Sequence, residues 1–216
     1  MRISHLGHSA VLVEGGGQRL LIDPGAFSSS WHGLHDLDAV LITHLHPDHV
    51  DPQHVPALLA ANPDARVVVE PGVPDTVDLG VDEGRLIRLA AGQELSLGPW
   101  QLEAVGGDHA VIHRDLPMIG NVGLVLRAEG EPTFFHPGDS LAAVPSGIDL
   151  LAVPAYAPWA AMKEHIDFIR AVGAGRLFPI HDGLLNDRGR AMVVGRFAEM
   201  TSTEVLDLAS QRPQEL

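Results

Sequence analysis

The stretch from Ala39 to Asp51, AVLITHLHPDHVD, constrains the fold and chemistry of this chain more than any other segment. Its first four residues, 39–42, are all apolar, which is typical of a short buried strand. Pro47 lacks a backbone donor and biases the preceding residue away from helical angles, so a loop follows the strand. This loop carries three histidines and one aspartate, namely His44, His46, Asp48 and His49.

The spacing of these residues favours a metal site. His44 and His46 are two positions apart, and side chains at that spacing point to the same side of an extended backbone, so both imidazoles can reach one ion. Asp48 and His49 follow in a tighter turn, where they can face a neighbouring point. Imidazole suits Zn, Cu, Fe and Ni, and a carboxylate widens the choice. Solvated loop histidines are the alternative, and the density of the motif behind an apolar strand disfavours it.

Composition limits the class of protein. The chain has 216 residues, of which 45% are hydrophobic, and this length suits one large layered domain over residues 1–216 with a substantial core. It has no cysteine, which excludes disulfides and thiolate ligands. An apolar run of about 18 residues is absent from the sequence, so we expect no membrane partner. The first residues, MRISHLGHSAVLVE, do not follow the pattern of a secretory signal, and we therefore expect a cytoplasmic location.

The net charge of −14 disfavours nucleic acid as a partner, because phosphate backbones select basic surfaces. A small anionic substrate remains compatible with this charge, since a bound metal is a large local positive charge. Arg114, Lys163 and Arg188 are the cations considered for contact with such a substrate. We therefore expect a small-molecule substrate, and the sequence leaves a homo-oligomer open.

The pattern of strands and helices indicates two β-rich halves. Residues 2–22 resemble an antiparallel meander, and strands alternate with helices later in the chain. We predict helices over about 52–62, 159–172 and 186–200, and a glycine-opened loop from Gly106 to Ile119. The polar tail after Ser210 is expected to fray. Two β-rich halves with helices outside fit two stacked sheets between helical layers.

Four motifs follow apolar strands and are punctuated by glycine or proline. They are His44–His49, Gly107–His109, Pro137–Ser140 and Pro179–Gly183. In this order they resemble the metal motifs of the metallo-β-lactamase-fold superfamily, and the resemblance spans nearly the whole chain. It implies an α+β fold, a four-layer αββα sandwich of two mixed β-sheets flanked by helices, with metals at one edge between the sheets.

The resemblance also implies a ligand set for two divalent metal ions, with zinc favoured and manganese or iron as alternatives. The first ion would be held by His44, His46 and His109. The second would be held by Asp48, His49 and His181, and Asp139 would bridge the two. Such a pair activates water, so we predict a hydrolase of ester, lactone or phosphodiester bonds with Asp48 as a catalytic residue. A non-catalytic metal-binding or ligand-sensing protein on the same fold is the alternative.

Several of these assignments have a competing interpretation. His109 is favoured over His113 as a ligand because it directly follows the strand and the Gly-Asp turn, and His113 would then line the substrate pocket. Asp139 could be a turn residue, and His181 could be a histidine at a strand end. Aspartates at the position of Asp23 commonly orient a ligand histidine in this family.

Two further histidines are candidates for the surroundings of the site. His8, within the sequence Gly-His-Ser, resembles the start of the branch that includes ascorbate-6-phosphate lactonase-like proteins, where a histidine lies close to the metals. His136 precedes the second Gly-Asp turn, where it either supports the ligands or is only a strand residue. The lack of cysteine counts against several true β-lactamase classes, and His46 replaces the acidic residue of flavodiiron-type members.

Overall fold

The computed structural model describes residues 1–208 and 212–216. Its strands are β1 (Arg2–Gly7), β2 (Ala10–Gly15), β3 (Gln18–Ile22), β4 (Ala39–Ile42), β5 (Arg66–Val69), β6 (Leu86–Arg88), β7 (Glu94–Leu97), β8 (Trp100–Asp108), β9 (Gly120–Arg127), β10 (Phe134–His136), β11 (Leu150–Pro154), β12 (Arg176–Ile180), β13 (Glu204–Val205) and β14 (Gln214–Glu215). Its α-helices are α1 (Val55–Ala61), α2 (Val73–Thr76), α3 (Met162–Val172) and α4 (Asp187–Met200), and a 3-10 turn spans Glu83–Arg85.

The strands form two mixed sheets of seven strands each. The first sheet has the order β14-β1-β2-β3-β4-β5-β6, and the second has the order β13-β12-β11-β10-β9-β8-β7. In the first sheet β1, β2 and β3 pair antiparallel, and β3 to β6 pair parallel. In the second sheet β7 to β10 pair antiparallel, and β10 to β13 pair parallel. The parallel strands end at one edge of each sheet, which is where their following loops can meet.

Three apolar clusters show that the layers stack as predicted. The central cluster lies between the sheets and joins Leu41 of β4 to Leu124 of β9. An outer cluster packs Val40 of β4 against α1, and another packs the far face of the second sheet against α3 and α4 through Ile166 and Phe197. Neighbouring residues of β4 therefore face opposite sides, as the two-residue period of a strand requires. The four-layer α+β sandwich is confirmed.

Two helices begin later than the sequence predicted. The first begins at Val55 because Asp51 forms a turn before it, in which its carboxylate Oδ1 accepts from the backbone N–H of Gln53 at 2.8 Å. The helix α3 begins at Met162 because Glu164 Oε2 accepts from the backbone N–H of Ala161 at 2.7 Å and ends the preceding loop there. Residue 159 therefore lies in a loop and not in the helix.

Two predicted irregular segments are partly regular. Strand β8 continues through Gly106 and Gly107, which have φ of +87° and +127°, and ends at Asp108, so the predicted loop begins three residues later than expected. The tail after Ser210, predicted to fray, instead pairs β14 with β1, and its first residue, 211, lies outside the described residues. Across the described chain, no helix combines the length and apolar character that crossing a bilayer requires.

Candidate metal centre

The structure brings all seven predicted ligands to one edge between the sheets. The loop after β4 supplies four of them, and the ends of β8, β10 and β12 supply one each. Together with His8, these seven form two groups in which one candidate ligand atom per residue lies within 4.8 Å of every other. The first group is His44, His46, His109 and Asp139, and the second is His8, Asp48, His49 and His181.

The carboxylate of Asp139 lies between the two groups. Its Oδ1 is 3.1 Å from Nε2 of His49, and its Oδ2 is 3.3 Å from Nε2 of His181. The same Oδ2 lies 3.5 Å from Nε2 of His109, which belongs to the other group. One buried carboxylate therefore reaches imidazoles of both groups.

Backbone and hydroxyl acceptors orient three of the histidine rings. Nδ1 of His109 donates to the carbonyl of Ala110 at 2.6 Å, and Nδ1 of His181 donates to the carbonyl of Tyr156 at 2.6 Å. Nδ1 of His44 lies 3.0 Å from Oγ1 of Thr43, whose hydroxyl proton is already donated elsewhere, so His44 is the donor. In a neutral ring, a protonated Nδ1 leaves the lone pair on Nε2.

Asp23 orients the fourth ring. Its Oδ2 accepts from Nδ1 of His49 at 2.7 Å and from the hydroxyl of Thr43 at 2.7 Å. Its Oδ1 accepts from the backbone N–H of Thr43 at 2.8 Å. A carboxylate behind an imidazole in this way fixes its tautomer and raises its basicity toward a metal. Asp23 therefore lies in contact with a candidate ligand, as the resemblance implied.

Four buried polar atoms of the site form no hydrogen bond of acceptable geometry with the described residues, although three of them lie 3.1–3.5 Å from a carboxylate or imidazole of the site. They are Nε2 of His44, His109 and His181, and Oδ1 of Asp139. Unpaired buried polar atoms are costly and rare in folded proteins, so their concentration at one place indicates a missing partner. Lone pairs of imidazole and carboxylate are acceptors for a divalent cation, and this donor set fits zinc or a similar metal.

His8 contacts the site through the carboxylate of Asp48. Its Nδ1 accepts from the backbone N–H of Gly183 at 3.1 Å, which leaves the proton of the neutral ring on Nε2. That Nε2 donates to Oδ2 of Asp48 at 3.0 Å. His8 therefore holds Asp48 in place, and its own lone pair is not directed at the centre.

The other two candidate histidines have different surroundings. His136 is buried, its Nε2 donates to the carbonyl of Ser9 at 3.1 Å, and its Nδ1 accepts from the backbone N–H of Gly138 at 3.2 Å. It therefore braces the turn that carries Asp139. The side chain of His113 is 58% exposed and lies outside both ligand groups, although it lines a small cavity beside His109.

Two functional contacts were missed by the sequence reasoning. The indole Nε1 of Trp159 donates to Oδ2 of Asp139 at 3.0 Å. The side chain of Asn121 holds the turn that carries Asp139, because its Oδ1 accepts from the backbone N–H of Asp139 at 2.9 Å and its Nδ2 donates to the carbonyl of Pro137 at 3.0 Å. Both residues lie far from Asp139 along the chain, so no local pattern marked them.

Gly25 allows the backbone of the ligand loop to pack closely. A Cβ at this position would lie 1.8 Å from the carbonyl oxygen of Asp48 and 2.6 Å from the backbone nitrogen of His49. Both neighbours are backbone atoms and cannot rotate away. A residue without a side chain is therefore required where the segment after Asp23 crosses the ligand loop.

In the metal-free site, burial and neighbouring carboxylates shift the pKa values of the histidines in opposite directions. Burial lowers the pKa of His44 well below its usual value. Burial also opposes the charge on His49, but the carboxylates of Asp139 and Asp23 outweigh it and raise the pKa of His49 well above its usual value. Against the same effect of burial, Asp139 and Asp48 raise the pKa of His181 to about 9. The ionised carboxylates of the metal-free site therefore stabilise protons on His49 and His181, and a cation could take the place of these protons.

Comparison with known families agrees with the fold. A family model described as the beta-lactamase superfamily domain matches residues 2–181. The chain therefore belongs to the beta-lactamase superfamily and has its metallo-β-lactamase fold. Protein Rv0786c of Mycobacterium tuberculosis is 42% identical over 205 residues, which cover 94% of both chains. A UPF0173 metal-dependent hydrolase of Aeropyrum pernix is 27% identical over 158 residues, 64% of this chain and 61% of that protein.

Solved structures share the fold at low sequence identity. Igni18, a metallo hydrolase from Ignicoccus hospitalis, superposes with a TM-score of 0.75 at 16% identity and covers 100% of this chain and 98% of its own. The metallo-β-lactamase fold protein YhfI from Bacillus subtilis has a TM-score of 0.75 at 18% identity, with 99% of this chain and 98% of its own covered. At these low identities, the two structures show that the fold is shared.

Proposed function

We propose that the protein is a metal-dependent hydrolase that uses two divalent cations to cleave an ester, lactone or phosphodiester bond of a small molecule. The observation that carries the proposal is the set of buried, unpartnered Nε2 atoms of His44, His109 and His181 around Asp139 in the described chain. Membership of the superfamily and the hydrolase name of a UPF0173 relative support the reaction class.

The proposed ligands divide into two sets. The first cation takes His44, His46 and His109, and the second takes Asp48, His49 and His181. Asp139 contacts imidazoles of both sets and is the proposed bridge. Three imidazoles and an anionic bridge favour zinc, and the carboxylates leave manganese or iron as alternatives. We also retain the lactonase-like branch as the proposed subgroup, because His8 contacts Asp48.

When bound, a pair of divalent cations supplies an activated water and stabilises the negative charge that develops on the attacked oxygen. The chain's own residues hold the reacting groups in place. Asp48 is the proposed catalytic residue, because its side chain is 19% exposed, whereas that of Asp139 is 5% exposed. There it can orient the attacking water while His8 fixes its Oδ2 at 3.0 Å. Asp23 keeps the proton of His49 on Nδ1.

Metal analysis tests the ligand assignment. Purified protein is stripped, reloaded with zinc or manganese and measured by mass spectrometry, and we expect about two equivalents per chain. His109→Ala should lose metal, whereas His113→Ala, an exposed histidine on the same loop, should retain it. Wild-type protein that holds less than about half an equivalent after reloading would contradict the proposal.

A substrate panel tests catalysis itself. Lactones, phosphodiesters and thioesters are assayed with metal-loaded wild type and with Asp48→Asn. Asparagine keeps the size of the side chain and removes its charge, so we expect turnover to fall by at least about a hundredfold. Full metal content with no turnover on any member of the panel would favour a non-catalytic metal-binding or ligand-sensing protein instead.

A further inference from the structure

A groove of about 720 Å³ opens directly beside the metal centre. We call it the Trp159 groove, and its apolar lining includes Val111, Met118, Leu141, Val144, Trp159 and Phe168. This volume lies within the usual range of small-molecule sites, about 300–1,000 Å³, which are mostly apolar with a few polar groups. The groove therefore has the size and lining of a binding site for an apolar group.

Two residues connect the groove to the metal centre. His109, a candidate ligand, forms part of its lining. Trp159 lines it as well, and the same indole donates to Oδ2 of Asp139 at 3.0 Å. The rings of His109 and Trp159 lie 6.2 Å apart, centroid to centroid. A molecule whose reacting bond lies at the centre can therefore extend its remaining part along the groove.

The charges of the groove exclude an anionic occupant. Asp108, Glu164 and Asp167 line it, and none of its described lining residues is arginine or lysine. Arg114, considered from the sequence as a partner for an anionic substrate, is 88% exposed and does not line it. A phosphate or carboxylate remote from the cations would meet carboxylates without a compensating charge. The part of the substrate that enters the groove therefore carries no negative charge, and the apolar lining favours an aliphatic group there.

Apolar side chains around the groove are unusually exposed. Val111 is 61% exposed, Met118 is 54% exposed and Val144 is 49% exposed. An aliphatic chain that covers them removes apolar surface on both sides, and each Å² removed from water contributes about 25 cal/mol. Exposed apolar patches around a cleft commonly mark the binding place of an apolar ligand.

From these observations, and on the basis of the proposed hydrolase function, we infer the substrate class. The substrate is an uncharged ester or lactone whose acyl part carries a long aliphatic chain, and this chain lies in the Trp159 groove. Hydrolysis adds water across the acyl carbon–oxygen bond, so the acid keeps the oxygen of water and the alcohol oxygen takes a proton. An ester releases this alcohol, whereas a lactone opens to a single hydroxy acid. Phosphodiesters with a second anionic group are disfavoured by the same lining.

Binding of an unreactive aliphatic probe tests the groove without catalysis. Trp31 and Trp100 are fully buried, so the indole emission that responds to an occupant of the groove is that of Trp159. Decanol is titrated against the metal-loaded full chain, with hexanol for comparison and with Trp159→Phe to assign the signal. Each buried methylene contributes roughly fourfold in Kd, so decanol should bind at least about tenfold more tightly than hexanol.

Two exposed substitutions locate the binding. Val144→Asp places a charge in the groove and should weaken decanol binding by at least about tenfold. Met192→Asp changes a somewhat more exposed apolar residue on α4, 61% against 49% for Val144, outside the groove, and should bind decanol as the wild type does. Met118→Asp is a second groove variant, for use if Val144→Asp does not fold.

Hydrolysis completes the test. We expect kcat/KM to rise by at least about tenfold from p-nitrophenyl acetate to p-nitrophenyl decanoate. For bis(p-nitrophenyl) phosphate we expect a lower kcat/KM than for the decanoate. Ester hydrolysis that is independent of chain length, with no preference for decanol, would overturn the inference and leave the hydrolase proposal intact. Chain-dependent decanol binding without turnover of any carboxylic ester, lactone or phosphodiester would overturn the hydrolase proposal and support the groove as an apolar site.

Discussion

At the scale of single residues, the metal centre depends on the direction of imidazole lone pairs. Each of four rings has an acceptor behind Nδ1, and three of these acceptors are neutral oxygens. The ring of His49 is the exception, because it faces the carboxylate of Asp23. Asp23 and His181 also adopt left-handed backbone angles, with φ of +48° and +56°, which non-glycine residues adopt at some cost. The site is therefore held in a conformation that its surroundings determine.

Replacing Asp23 by asparagine should weaken metal binding by about 10–100-fold. The amide keeps the size of the side chain and tolerates the left-handed backbone, but it removes the charge that supports His49. Competition titration with a zinc chelator measures the affinity. Asp36→Asn is the matched control, since Asp36 also has a left-handed φ of +58° and its exposed carboxylate pairs with His35. Equal zinc affinity of Asp23→Asn and wild type would disprove the role.

Replacing Gly25 by alanine should displace the ligand loop. The new Cβ would lie 1.8 Å from the carbonyl oxygen of Asp48, so the backbone must move, and we expect a loss of about 2–4 kcal/mol in the free energy of unfolding. Denaturant titration measures it. Gly195→Ala within α4 is the control, because a Cβ there contacts nothing within 4 Å and should be neutral or stabilising. Unchanged stability and metal content in Gly25→Ala would argue against the close packing.

At the scale of elements, α3 supports the metal centre and the groove from one side. Its buried face includes His165, Ile166 and Ile169, and the loop before it places Trp159 against Asp139. The ring of His165 lies 6.3 Å from that of Trp159 and 6.2 Å from that of Phe197 on α4. A titratable ring is thus packed between the groove and the outer helical layer.

This packing predicts a pH effect on stability. Burial lowers the pKa of His165, so the folded protein binds this proton less readily than the unfolded chain. The contribution of the neutral ring is fully present above the unfolded pKa of about 6.5 and is lost as the pH falls below it. In metal-free protein, His165→Met should therefore lose less stability than wild type between about pH 7.5 and about 5.5. Thermal unfolding across this range measures the slope.

Ile169→Met serves as the control for this pH effect, because it changes a buried apolar residue of the same helix and neither side chain titrates, so the slope should stay as in wild type. An identical slope in His165→Met and wild type would show that the buried ring does not contribute.

The arrangement of strands and loops also explains which residues of the site could be predicted from the sequence. The short apolar strand β4 and the strand ends after it predicted the ligand candidates, because ligands that follow parallel strands meet at one edge. The sequence could not predict Trp159, since its contact with Asp139 depends on where the loop before α3 crosses the second sheet. Nor did it mark Asn121, whose amide reaches a turn beyond the following strand. Such contacts follow from tertiary packing and have no local period.

At the scale of the whole molecule, the two sheets contribute separately to the centre. The first sheet carries the loop with His44, His46, Asp48 and His49, and the second carries His109, Asp139 and His181. Cations bound by both sets would link the sheets at their shared edge. Because such ions bind the folded protein and not the unfolded chain, they should stabilise it.

Chelation should therefore lower the Tm of metal-loaded protein. Ions at about one hundred times their Kd stabilise a fold by about 2.7 kcal/mol, which corresponds to roughly 5–10 °C for a chain of this length. Differential scanning calorimetry before and after chelation measures the shift. His44→Ala should show little further shift, whereas His113→Ala should respond as wild type does. A Tm of wild type that chelation does not change would contradict the link between the sheets.

The division of ligands between the sheets also coincides with a division along the chain. Strands β1 to β6 precede the turn at Gly92 and β7 to β14 follow it, and of these later strands β14 joins the first sheet. A cut at this turn would leave four candidate ligands on one fragment and three on the other. The centre would then reform only when the two fragments reassociate, so metal uptake by the mixture would measure the fraction of fragments that have reassociated.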